Sequence, residues 1–246
     1  MSDDPQVDEP ATAPTHPANR ARRWWLALVV VVAVAVLGVG LGLGLSSAND
    51  GAPVGPEGVA LQQVPDLAPV TSTATGAPVD GITCRTTAKQ KVGYHVHTHV
   101  AIFVNGNQVR IPAGAGIAAP RLAEHESTGV FYDNSVLGCL YWLHVHANDG
   151  VIHVEAPAKQ TFTLGQFFDI WGQPLSPTQV GPATGTVVAF VNGTRFTGNP
   201  RDVPLLKQGV IQLDVGSPVV PFQAVHFTVS GSCGPGGTCH PTGEHS

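Results

Sequence analysis

Apolar and polar residues alternate from Tyr94 to Val104. Alternation over that length predicts a β-strand, because successive side chains leave a strand on opposite faces. One face carries Tyr94, Val96, Thr98, Val100, Ile102 and Val104. The other carries His95, His97 and His99, then Ala101 and Phe103. Asn105-Gly106 follows, then a second run at 108–111, and Asn-Gly between two such runs predicts a tight hairpin. The same device recurs at Asn192-Gly193, between runs at 187–191 and 195–197. Both copies read Phe-Val-Asn-Gly, an agreement too short to establish a duplication. A third hairpin is centred on Asp149-Gly150, between runs at 140–147 and 151–155, and further strands are expected at 211–215 and 224–229. One helix stands out: Thr163-x-x-Gln166 reads as a capping box, Phe167, Phe168, Ile170 and Trp171 follow, and Gly172 stops it. The fold class is mainly β (α+β): an antiparallel sheet or sandwich-like domain with one short helix.

The longest apolar run lies elsewhere. Residues 24–45, 22 residues without charge or proline, are long enough at ~1.5 Å per residue to span the ~30 Å hydrocarbon core of a bilayer. Trp24 and Trp25 mark its interface, and its four glycines are tolerated in membrane helices. Arg20, Arg22 and Arg23 precede the run, and the next basic residue after it is Arg85. Positive charge stays inside, so residues 1–23 form a disordered cytoplasmic tail and the remainder lies outside the cytoplasm. Signal cleavage near Ser46-Ser47-Ala48, giving a secreted protein, is the competing reading. Residues 46–80 are rich in Pro, Gly, Ala and Thr and read as a flexible linker. The folded domain is expected over 81–230, and 231–246 is a Gly/Pro/Cys/His tail.

Cysteine and charge narrow the setting. All four cysteines follow the apolar run, where disulfides persist. Of three pairings, Cys84–Cys139 with Cys233–Cys239 is favoured, and a soft metal site at Cys233, Cys239 and His240 is the alternative. From residue 81 onward, nine basic residues balance nine acidic ones, which gives no footprint for nucleic acid.

The histidines carry the candidate chemistry. With Asp149-Gly150 as a two-residue turn, His146 faces His153 and His144 faces Glu155, while Val145 and Val154 meet on the other side. A slip by two residues changes the partners and keeps the face; a slip by one buries the polar set. Two in-phase clusters result: His95, His97 and His99 on one strand, and His144, His146, His153 and Glu155 on the hairpin. They merge into one site if the strands are neighbours, since cross-strand Cβ atoms lie ~5 Å apart.

Imidazole and carboxylate suit zinc or copper first and iron third; Met1 is the only methionine, so a soft Cu(I) carrier is disfavoured. A strand bearing His-x-His with a third His on its neighbour also resembles the zinc site of α-type carbonic anhydrases. That likeness covers about a dozen residues and none of the surrounding sequence. Coordination by imidazoles of ordinary pKa is expected to weaken below about pH 6.

Other residues are weaker candidates. Glu124-His125-Glu126, read as a loop, offers an acid or base. His226 reads as a core or edge histidine, His240 and His245 as loose tail ligands, Asp133 and Asn134 as turn residues, and Trp142 as a wall of the site. No nucleophile elbow, phosphate loop or His-Glu-x-x-His is present. The function expected is membrane-anchored, extracytoplasmic capture, buffering or delivery of a transition metal. The alternatives are a metal-dependent enzyme with an open site, and a pH-responsive structural domain without metal. The metal ion and the membrane, through residues 24–45, are the expected partners; no protein partner is indicated.

Overall fold

The computed structural model describes residues 53–70, 76–86, 89, 91–126, 129–134 and 137–228. The apolar run 24–45, the tail 1–23 and the Cys233, Cys239, His240 and His245 segment lie outside them. Among the described residues no helix is long and apolar enough to cross a membrane.

A seven-stranded sheet organises the domain. Its strands are β1 (Tyr94–Val104), β2 (Asn107–Val109), β3 (Leu143–His144), β4 (Val151–Ala156), β5 (Val187–Val191), β6 (Thr194–Phe196) and β7 (Gly209–Val215). They run in the order β6-β5-β7-β1-β4-β3, with β2 also pairing to β1. Both Asn-Gly hairpins form as expected. Val104 faces Asn107 and Val191 faces Thr194, and φ is positive at Asn105, Gly106, Asn192 and Gly193, as the two-residue turn requires.

The sheet is not wholly antiparallel. β7 lies parallel to β1, pairing Gly209 with Thr98 and Val215 with Val104. The chain between them is long and contains the helix, so no tight turn imposes an antiparallel return. The expected strand at 224–229 is also absent over its described part, and the chain just before it is tied to β7 by side chains rather than by a ladder. The Gln212 side chain donates to Val220 O (3.0 Å) and accepts from Gln223 N–H (2.8 Å), and Asp214 accepts from Val220 N–H (2.8 Å). His226 is exposed there rather than set on a strand.

The apolar face of β1 behaves as its alternation predicts. Val96, Val100 and Ile102 pack with Ile152 and Val154 of β4, Ile211 and Leu213 of β7, and helix α1 (Leu164–Trp171). Thr98, the polar residue on that face, donates to Leu206 O at 2.6 Å, which removes the cost of burying its hydroxyl. Helix α1 has the expected ends. The Thr163 side chain accepts from Gln166 N–H, the Gln166 side chain accepts from Thr163 N–H, and Gly172 closes the helix in the left-handed region. Cys84 and Cys139 form the expected disulfide, between short strands Cys84–Arg85 and Cys139–Tyr141 that pair antiparallel.

Two expectations fail in instructive ways. Glu124-His125-Glu126 is not a loop, and Asp133 and Asn134 are not turn residues. They belong to two paired strands, Arg121–Glu126 and Gly129–Asn134, in register Glu124 to Phe131. Nor is 53–70 a free linker. Val59, Leu67 and Ala68 are buried, Arg110 binds Asp66 (2.6 Å) and Gln62 O (2.5 Å), and Trp171 donates to Pro69 O at 3.2 Å. Composition marked the segment as flexible because it has no periodic apolar pattern; single apolar residues bury it against a core formed elsewhere.

The third hairpin forms with the face-conserving slip. His144 faces His153 and Leu143 faces Val154, two residues from the expected register. The chain leaves β3 at Val145, whose N–H goes to Ala115 O (2.8 Å), so the connection to β4 runs over 145–150 instead of two residues. Gly150 sits at its end with φ 75°, and a Cβ there would lie 2.6 Å from Val100 O. Gly150→Ala is expected to cost about 1–3 kcal/mol through strain and backbone clash. Urea unfolding measures this, and an unchanged midpoint would show that the connection relaxes freely.

Candidate metal centre

The second face of β1 points away from the apolar core. β4 pairs antiparallel with β1, setting His97 opposite His153 and His95 opposite Glu155. The two sequence clusters therefore become one. Ring centroids lie 4.6 Å apart for His95 and His97, 4.5 Å for His97 and His153, and 4.5 Å for His146 and His153. Two groups have their ligand atoms all within 4.8 Å of one another: His144, His146, His153 and Glu155, and His95, His97 and His153.

Six of the seven expected ligands meet. His99 stays apart, opposite Val151 at the far end of the β4 pairing, with its Nε2 3.3 Å from the Gln62 amide. Trp142 is half-buried, packs on the apolar core and lies edge-on to Phe162, while its carbonyl accepts from Glu155 N–H at 2.7 Å. Glu124 and His125 are exposed, but their hairpin reaches the site from its other strand. Phe131 stacks on His146 with centroids 4.4 Å apart and planes 6° from parallel.

Two imidazoles are oriented by backbone carbonyls. His144 Nδ1–H donates to Tyr141 O at 2.7 Å and His146 Nδ1–H donates to Tyr132 O at 2.5 Å. A carbonyl only accepts, so each Nδ1 carries the proton and each Nε2 presents a bare lone pair. Those two Nε2 atoms lie 2.9 Å apart. Two acceptors repel at that distance unless a proton or a metal ion lies between them. A shared proton means a buried imidazolium, and burial pushes both histidines down to about 4. A metal ion fits better: two nitrogens at ~2.0–2.1 Å from a tetrahedral zinc stand about 3.3 Å apart. The carbonyl contacts are the usual outer supports of metal-binding imidazoles.

Sequence reasoning missed Glu57. It sits at the tip of a turn in the expected linker, 2 % exposed, with Oε1 3.2 Å from His153 Nε2 and 3.6 Å from His97 Nε2. Burial, helped by the neighbouring carboxylates Asp149 and Glu155, pushes its carboxyl up to about 8. Burial likewise pushes His97 down to about 3 and holds His95 and His153 below their ordinary range. The cluster is thus a buried site in which burial drives the Glu57 carboxyl and the imidazoles toward their neutral forms. A divalent cation supplies the charge that makes a Glu57 carboxylate favourable there. Only the residue type at 57 could have flagged it, since no local pattern places an isolated linker glutamate beside a strand over thirty residues away.

The chain matches none of the protein-family models, curated proteins or solved structures with which it was compared.

Proposed function

We propose that this protein is a membrane-anchored, extracytoplasmic domain that binds a transition metal for capture, buffering or delivery. The observation that carries the reading is the pair of Nε2 atoms of His144 and His146, facing each other at 2.9 Å with both Nδ1 protons committed to carbonyls. Imidazole and carboxylate donors, with Cys84 and Cys139 held in a disulfide, favour zinc or Cu(II), with Fe(II) third. His97, His144, His146, His153 and Glu57 are all buried. Donors supplied by the chain itself in a buried site favour holding an ion over admitting a substrate to it. Anchoring through residues 24–45 rests on their length, their apolar character and the arginines before them.

The test uses the full-length chain, recovered from carbonate-washed membranes and purified in mild detergent. Elemental mass spectrometry is expected to find at least one equivalent of zinc, copper or iron, lost in a His144/His146/His153 triple-alanine variant. Protein that stays metal-free after titration would sink the metal reading. Recovery in the soluble fraction would replace anchoring by secretion.

A further inference from the structure

Seven buried or nearly buried donors surround this pocket: His95, His97, His144, His146, His153, Glu57 and Glu155. A tetrahedral ion takes four. The surplus is organised. His144 and His146 approach from β3 and the segment after it, with their Nε2 atoms aimed at one point. His95 and His97 approach from β1, on the opposite side of His153. The Nε2 atoms of His95 and His97 and both carboxylate oxygens of Glu57 are buried without a well-formed hydrogen bond. The close contacts are of imidazole with carboxylate, His95 Nε2 to Glu155 Oε1 at 3.3 Å and His97 Nε2 to Glu57 Oε1 at 3.6 Å. That arrangement is costly unless something else engages these atoms. His153 lies between the two sides, Nε2 3.2 Å from Glu57 Oε1 and Nδ1 4.0 Å from Glu155 Oε1. One imidazole is thus flanked by two carboxylates, and Glu155 Oε1 also lies 3.3 Å from His95 Nε2, between the two sides.

We propose that the cluster is a two-ion centre, in which His95, His97, His153 and Glu57 hold a second ion beside a first held by His144, His146 and Glu155. The inference rests on the metal-binding reading above and deepens it. Spacing supports the second site: Glu57 Oε1 stands 3.2 and 3.6 Å from the His153 and His97 nitrogens, which brackets the ~3.3 Å between two donors on one tetrahedral zinc.

The element that delivers Glu57 is built for the purpose. Gly55-Pro56-Glu57-Gly58 is a tight turn, with Gly58 N–H donating to Gly55 O (2.9 Å) and Gly55 N–H donating to Val59 O (2.8 Å). Both glycines are contact points. A Cβ on Gly55 would lie 2.0 Å from Asp149 Oδ2, and one on Gly58 1.7 Å from Thr228 Oγ1. Thr228 in turn donates to Gly58 O at 3.3 Å. The turn is clamped from both sides with its glutamate facing the histidines.

Metal-stripped full-length protein, titrated with zinc, desalted and counted by elemental mass spectrometry, tests this directly. Wild type is expected to retain two equivalents. Glu57→Gln, which keeps the shape and removes the charge, is expected to retain one, and so is His95→Ala on a different element. The combined His144→Ala, His146→Ala variant is expected to keep the other one. Circular dichroism reports folding for each, and His95→Ala decides the matter if Glu57→Gln does not fold. A wild type that holds one equivalent overturns the two-ion centre and leaves the metal-binding reading standing; none at all overturns both. Two equivalents retained by folded Glu57→Gln removes Glu57 from the second site and overturns the assignment.

Discussion

Zinc supplied to the metal-free protein at about a thousand times its dissociation constant is expected to raise the thermal unfolding midpoint by roughly 8–16 °C per ion bound. A ligand that binds only the native state at that excess contributes about 4.1 kcal/mol. A domain of 150–250 residues moves by roughly 2–4 °C per kcal/mol. The donors come from four separate stretches of chain: the turn at Glu57, β1, the segment of His144 and His146, and β4. Unfolding scatters them, so the unfolded chain offers no comparable site. The shift should fall by one ion's share, to roughly 8–16 °C, in His144→Ala or His146→Ala and persist in full in His240→Ala. Each variant is compared with its own metal-free form, so the cost of the substitution itself cancels. A shift below 1 °C in wild type, or one of equal size in all variants, would contradict coordination by the strand histidines.

Acid should unfold the metal-free domain sharply. Burial lowers His97 to about 3 and His99, His144 and His146 to about 4, against about 6.5 in an unfolded chain. Between roughly pH 4 and 6.5 these four take up protons only on unfolding, so stability falls as pH falls, by about 1.4 kcal/mol per pH unit for each proton. Two groups have the opposite sign. Burial raises Glu57 to about 8 and Asp149 to about 7. Both hold protons in the folded state that the unfolded chain releases, which lowers stability as pH rises toward 8.

His95 and His153, also lowered by burial, act in the same direction as those four histidines. At least four against two leaves a net loss of at least about 3 kcal/mol per pH unit on the acid side. That is a large share of the ~5–15 kcal/mol typical of a domain. Stability should therefore peak near pH 6.5, decline gently toward 8 and collapse below about 5. Urea midpoints measured in chelator across pH 4.5–8.5 check this, and a flat profile or a steady rise to pH 8 would refute it. The same burial revises the onset expected for metal loss. Imidazoles already held neutral to about pH 4 compete with protons less than free histidine does, so release begins below the pH 6 expected from ordinary histidines.

Much of the donor set was legible because strand alternation is local. His95 and His97 share a face whatever the rest of the chain does, and His153 and Glu155 do the same on β4. The register of the hairpin was less secure. Two-residue slips conserve the face, so nothing in the alternation separated His146 opposite His153 from the observed His144 opposite His153. Contacts outside the hairpin chose, through Val145 N–H to Ala115 O and Tyr132 N–H to His146 O. The strands at Arg121–Glu126 and Gly129–Asn134 escaped notice because charged residues interrupt the first and no Asn-Gly or Asp-Gly joins them.

By itself, the sequence determined the two-residue turns at Asn105-Gly106 and Asn192-Gly193, the ends of α1, and the in-phase placement of the histidines on β1 and β4. Each depends on backbone geometry within a few residues. Only the tertiary structure decided that β1 lies beside β4, that β7 runs parallel to β1, that His99 stands apart, and that Glu57, Tyr132 O and Tyr141 O join the cluster. Those outcomes depend on which distant surfaces bury one another, and an isolated glutamate or a main-chain carbonyl carries no local pattern that reveals its partner.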